Sequence, residues 1–123
     1  MEAKLFYKNL KVYQASKVVV KAVYQLIERF PTEERFALCD QLRRAVISVP
    51  SNIVEGLSRT TDKEKHHFLS IAYGSLMETL CQLDISADLG YISNDELKNI
   101  EDESVELVCM MKGMMKNLTT DKS

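Results

Sequence analysis

The chain reads as an all-α protein, an antiparallel up-down-up-down four-helix bundle folded as one domain over residues 1–123. Three observations predict this. Apolar residues recur in alternating steps of three and four along three stretches, which lays a continuous stripe on one side of a helix. Capping signals divide the chain into four segments joined by only a few residues each, and connections that short make consecutive helices antiparallel neighbours. Four Gly and two Pro interrupt an apolar set rich in Leu, Val, Ile, Ala and Met, the composition of helices packed on helices. A chain of this length buries about two-thirds of its unfolded surface, so a second domain is not needed.

The first helix is expected over about 9–29, from Asn9 as N-cap through VYQASKVVVKAVYQLIERF to Phe30-Pro31, because the residue before a proline is driven out of the α region. The second is expected over about 33–55. It opens after Thr32 with Glu33 and Glu34 in the turn where the helix dipole favours negative charge, and it closes with Gly56 at the C′ position. The third, over about 62–89, starts with a capping box in which Thr61 accepts from the Glu64 amide and Glu64 reaches back to the Thr61 amide. Leu89-Gly90-Tyr91 ends it as a left-handed glycine stop followed by an apolar residue. The fourth, over about 94–118, opens with a second capping box from Ser93 to Glu96, and the tail around Asp121-Lys122-Ser123 is expected to fray.

The predicted seam consists of Cys39, Leu42, Val46, Val49 and Ile53 on the second helix and Leu69, Ala72, Leu76, Thr79 and Leu83 on the third. Leu97, Ile100, Ser104, Leu107, Met111, Met114 and Leu118 continue it on the fourth. Pro50 falls inside the second of these stripes. It has no amide to offer the Val46 carbonyl and its ring crowds that carbonyl, at about 3 kcal/mol. The stripe keeps its phase across the proline, and Val49 would be a poor cap for a new helix, so one helix kinked at Pro50 is expected rather than two.

On a helical wheel, Ile47, Pro50 and Val54 widen the apolar arc of the second helix beyond a bundle seam, and Arg44, Ser48, Ser51 and Glu55 form a polar stripe opposite. The third helix has a similar surplus in Phe68, Ile71, Gly74 and Ile85, with Glu78 among them. Excess apolar surface on a small protein points to self-association. The polar stripe has two readings. Arg44 and Glu55 can bond between helices or subunits while Ser48 or Ser51 serves backbone groups freed at the proline, or Arg43 and Arg44 can present guanidinium groups to phosphate. Glu55 lies on the same face and would repel phosphate, which favours the first.

Composition narrows the function classes. MEAKLFYKNL lacks the apolar core of a signal peptide and no run approaches the roughly 18 apolar residues of a membrane span, so a cytoplasmic protein without a membrane role is expected. Cys39, Cys81 and Cys109 have no close pair and sit in helical apolar patterns, so all three are expected to be buried reduced thiols. The net charge of −2 argues against an electrostatic coat on nucleic acid, but residues 1–30 carry six Lys/Arg against two Glu, while 94–106 carry six Asp/Glu against Lys98. Either these segments face each other or the molecule has a basic side, with Lys4, Lys8, Lys11, Lys17 and Lys21, and an acidic one.

No catalytic pattern emerges, and no cofactor or metal is expected. Glu64 and His67 have the E-x-x-H spacing of a di-iron bundle, but such a site uses that motif twice and the other histidine, His66, is adjacent. Both histidines read as surface groups of a first helical turn. Gly74-Ser75 lies inside a helix, where small residues allow close helix approach rather than holding phosphate. The methionines at 110, 111, 114 and 115 read as core or oligomer interface.

NLKVYQ, FPTEERFAL, QLRRAVISVPSNIVEG, FLSIAYGSLMET and DLGYIS, spanning about residues 6–118, resemble the bacterial four-helix-bundle family of proteins encoded by intervening sequences of large-subunit ribosomal RNA genes. The resemblance implies a ribosomal-protein-like bundle without enzymatic activity. It extends to the accessory variability determinant of diversity-generating retroelements, a homopentamer that binds nucleic acid and a reverse transcriptase. Motif positions matched are Arg43, Arg44, Ser48, Pro50, Asn52, Glu55, Gly56, Gly74, Ser75 and Glu78. The expected function is therefore a homo-oligomeric scaffold or adaptor, pentameric by the resemblance, with a protein or RNA partner. Its alternative is an RNA-binding accessory role. Contacts to nucleic acid or to a neighbouring subunit are expected from Arg43, Arg44, Ser48, Asn52, Glu55 and Glu78.

Overall fold

A computed structural model describes residues 5–118. Lys4 and the tail expected to fray lie outside the described residues. Four helices make up the fold: α1, Lys11–Ile27; α2, Leu38–Leu57; α3, Asp62–Asp88; and α4, Asn94–Lys116. They contact one another in a closed cycle, α1 on α2, α2 on α3, α3 on α4 and α4 on α1, with α2 and α3 making the most extensive contact.

Named contacts show how the ends meet. Gln82 near the end of α3 bonds Gln41 near the start of α2, the Ser48 and Ser75 hydroxyls meet at mid-length, and Gly56 near the end of α2 lies against Lys65 and Phe68 near the start of α3. Arg29, just past α1, pairs with Glu96 in the first turn of α4. These contacts run each pair antiparallel. The basic first helix and acidic fourth helix are thus neighbours, and Ala15 and Val18 share a surface cleft with Glu103 and Glu106.

The seam holds. Every predicted seam residue of α2 and α3 is buried, and on α4 the buried run extends from Leu97 to Met111 before Met114 and Leu118 become half-exposed towards the end of the bundle. Val12, Ser16, Val19, Val23 and Ile27 supply the α1 stripe. Full burial of one such aliphatic side chain stabilises by roughly 1.5–3 kcal/mol, which is why the stripe decides the fold.

Three helix ends and the bonding of one cap differ from expectation. Helix α1 starts at Lys11 behind Leu10, which makes no side-chain cap; Asn9 lies in the preceding turn. Thr32–Glu34 forms a separate 3-10 turn rather than the opening of α2, because Glu34 is committed elsewhere: its carboxylate accepts from the Leu38 amide at 3.4 Å and from the Tyr91 hydroxyl at 2.9 Å. The Phe30 ring packs on Tyr91 at 5.3 Å between centroids, so this loop is tied to the α3–α4 turn. Gly56 is helical and buried rather than a C′ residue; a Cβ there would stand 3.0 Å from that of Phe68 and 3.2 Å from the Lys65 carbonyl oxygen. Its small size permits the approach of α2 to α3. At the start of α3, Thr61 accepts from the Glu64 amide as expected, but the Glu64 carboxylate accepts from the Thr61 hydroxyl and not from its amide.

The remaining caps follow the chain. Gly90 has φ +82°, and the Tyr91 amide returns to the Ser86 carbonyl at 2.9 Å. Ser93 and Glu96 form a complete capping box, with the Glu96 amide 3.1 Å from Ser93 Oγ and the Ser93 amide 2.9 Å from the Glu96 carboxylate. Helix α2 passes through Pro50 as one element. Among the described residues no helix is long and apolar enough to cross a membrane.

Candidate functional site

The motif residues of the second and third helices lie along one contact. Ser48 is its centre: its Oγ lies 2.8 Å from Ser75 Oγ, and Asn52 Nδ2 donates to both the Ser48 hydroxyl, at 2.8 Å, and its carbonyl, at 2.9 Å. Ser48 is half-buried here, so water competes for these bonds less than it would on an open surface. Asn52, rather than Ser48 or Ser51, makes the side-chain bond to the backbone beside Pro50, and it goes to the Ser48 carbonyl, not to the Val46 carbonyl that the proline frees.

Two helical turns along, Gln82 is 92% buried, counting from its 8% exposure, and its Nε2 donates to Gln41 Oε1 and to the Glu78 carboxylate, each at 3.2 Å. Its own Oε1 is buried without a hydrogen-bond partner among the described residues. A buried acceptor left unpaired costs about 1–3 kcal/mol. Gln41 and Gln82 were not singled out in the sequence, although Gln82 follows Glu78 by one helical turn and so shares its side of α3.

At the opposite end Glu55 is exposed and pairs with Arg59, whose guanidinium also covers the Phe68 ring at 4.7 Å. Phe68, expected among the surplus apolar residues, is instead half-buried beneath that arginine and against Gly56. The two adjacent arginines diverge. Arg43 bonds Asp40 at 2.7 Å and reaches the Arg35 carbonyl at 3.5 Å, on the side of the α1–α2 loop. Arg44 is exposed.

The surplus apolar residues remain as surface. Ile71, Gly74, Glu78, Cys81 and Ile85 follow one another in steps of three and four along the exposed side of α3, with Ile71 39% and Ile85 46% exposed. On α2, Ile47 is 42% exposed and lines a cavity of about 510 Å³ together with Tyr7, Tyr13, Lys17, Pro50 and Val54. Lys17 lies 5.0 Å from the centre of the Tyr13 ring.

Glu64 is engaged with Thr61, His67 meets Phe68 edge-on and His66 Nδ1 lies 3.4 Å from the Ser70 hydroxyl. Among the described residues no three His, Cys, Asp or Glu side chains come together as a metal site would require. Only Cys39 of the three cysteines is buried, and its burial pushes the thiol pKa up, against the pull of Arg43. Cys81 and Cys109 are exposed, contrary to expectation, because each falls two residues from the seam positions on either side, about 200° round the helix from them.

A family model described as 23S rRNA-intervening sequence protein matches residues 8–113. The fold is similar to a crystal structure of a protein of unknown function from the S23 ribosomal protein family of Bacteroides thetaiotaomicron, with a TM-score of 0.78 and 21% identity over 86% of this chain and 99% of that one. No curated protein matches.

Proposed function

The chain belongs to the 23S rRNA-intervening sequence protein family, and within it we propose that this protein is a non-enzymatic, homo-oligomeric scaffold assembled through the outer face of α2 and α3. The observation that carries the reading is the exposed Ile71–Gly74–Glu78–Cys81–Ile85 stripe, apolar or small at every position but Glu78. A second copy covering this stripe removes the two isoleucines from water. The copy number, five, follows from the resemblance to the retroelement accessory proteins. The match and the solved neighbour carry no description of a reaction.

Sedimentation velocity tests this directly. The full chain is expected to sediment as a multimer, and Ile71→Lys with Ile85→Lys is expected to give a monomer with unchanged helical circular dichroism. A monomeric parent protein at tens of micromolar would sink the proposal.

RNA binding is the second reading, supported by Arg44 being exposed and by Lys17 beside the Tyr7–Tyr13 pair, where a base can stack and a phosphate can pair. Arg43 supports it less, being engaged by Asp40. Anisotropy of a labelled structured RNA at low and physiological salt decides it. Binding that survives physiological salt and weakens in Arg44→Ala supports the RNA role, and no binding at low salt removes it.

A further inference from the structure

At the end of the bundle where α1 begins and α4 finishes lies a concavity separate from the α2–α3 face. Phe6, Leu10, Leu57, Met110 and Met114 form apolar walls around about 630 Å³, a volume typical of pockets for small organic ligands. The wall on α4 is recessed at Gly113, where an added Cβ would meet nothing within 4 Å. Phe6 is 52% exposed, so the groove is open to solvent. Methionine side chains are flexible and polarisable and can follow the outline of a flexible chain.

The charge is one-sided. Although the protein has 18 acidic residues against 16 basic ones, among the described residues no carboxylate lines this groove, and Lys11 is its charged lining residue. Leu10 offers the first-turn amides of α1 no side-chain acceptor, so the positive end of that helix adds to the field beside Lys11. The α2–α3 face, by contrast, presents Arg44 and Glu78, one of each sign.

We infer that this groove binds a free single-chain amphiphile with a carboxylate head, its tail along Leu57, Met110 and Met114 and its head at Lys11. An uncharged ligand leaves Lys11 unused, and a cationic one is repelled by it. The site does not depend on the assembly proposed above.

Titration of dansyl-undecanoic acid into the full chain, below the micelle concentration, tests it. Saturable binding near about one probe per chain is expected. Laurate should displace the probe at lower concentration than dodecanol does, and dodecyltrimethylammonium should not displace it. Gly113→Phe fills the groove from a position with free space around it, and is expected to abolish binding while helical content and sedimentation stay unchanged. Lys11→Glu is expected to weaken laurate about tenfold, the value of one charge-assisted contact, and to leave dodecanol unaltered. The inference is overturned by absence of saturable binding, by equal displacement with the cationic amphiphile, or by unchanged binding in Gly113→Phe. Association only with phosphatidylglycerol vesicles would overturn it in favour of a membrane surface, and a loss of assembled mass in Gly113→Phe would overturn it in favour of a second copy.

Discussion

The hydroxyl oxygens of Ser48 and Ser75 stand 2.8 Å apart, and this contact joins the midpoints of α2 and α3. Because Asn52 bonds the same Ser48 oxygen, the three side chains act as one unit. Ser48→Ala is expected to destabilise by about 1–2 kcal/mol and Ser75→Ala by less, since Ser48 then keeps Asn52. The double variant should resemble Ser48→Ala alone in urea unfolding. Additive losses would show that the hydroxyls do not interact.

Gly56 and Gly113 are both helical, yet their substitutions should differ in sign. A Cβ at Gly56 meets Phe68 and the Lys65 carbonyl at 3.0 and 3.2 Å, so Gly56→Ala must push α3 away and is expected to cost about 1–3 kcal/mol, exceeding its gain in helix propensity. Gly113→Ala meets nothing and should stabilise by about 0.5–1 kcal/mol. Thermal melts of the two variants check this, and a rise in Tm for Gly56→Ala would refute the packing role.

The Ser93 amide, joined by the Arg29 guanidinium, holds the Glu96 carboxyl below its usual value of 4.5. A lowered folded-state pKa means that the stabilisation is complete above the unfolded value and is lost as pH falls through the folded one. The gap in Tm between the parent and Glu96→Gln is therefore expected to be widest at neutral pH and to close below about pH 4. A gap constant from pH 7 to 3 would show that the carboxylate charge has no part in the cap.

Pro50 has half-buried surface against the Tyr7–Tyr13 cavity while denying the Val46 carbonyl its helical donor. We propose that α2 bends there. Pro50→Ala restores the donor and is expected to raise urea stability by about 1–3 kcal/mol while weakening assembly, read by sedimentation. Unchanged assembly would remove the bend from the interface.

Arg43 and Arg44 should separate in a stability measurement. Arg43→Ala breaks a partly exposed pair with Asp40 and is expected to cost about 0.3–1 kcal/mol, whereas Arg44→Ala should stay within about 0.5 kcal/mol of the parent. Equal losses would mean that Arg44 has a partner of comparable strength.

Much of this architecture was legible in the residues because it rests on local physics. The buried stripes of α2, α3 and α4 depend only on helical periodicity, and the Ser93–Glu96 box and the Gly90 stop depend on residues adjacent in the chain. Two of the misread features involve a distant partner. Glu33 and Glu34 look like a helix start, but Glu34 is held by Tyr91, 57 residues away. Gly56 looks like a stop, but its role is set by Phe68 and Lys65 on the next helix.

The same division runs through the candidate site. Periodicity alone placed Ile47, Ile71 and Ile85 outside the seam, and their exposure follows from the angle at which each leaves its helix. Which polar side chains meet was decided by the antiparallel register of α2 against α3. That register sets Ser48 on Ser75 and Gln41 on Gln82, while the packing of α1, α2 and α4 gathers Phe6, Leu57 and Met114 at one end of the bundle. A single chain records the turn-by-turn preferences of each helix, because they come from neighbours within a few residues. The offset between two helices depends on how close their surfaces can come, which here is set by a glycine on one and a phenylalanine on the other.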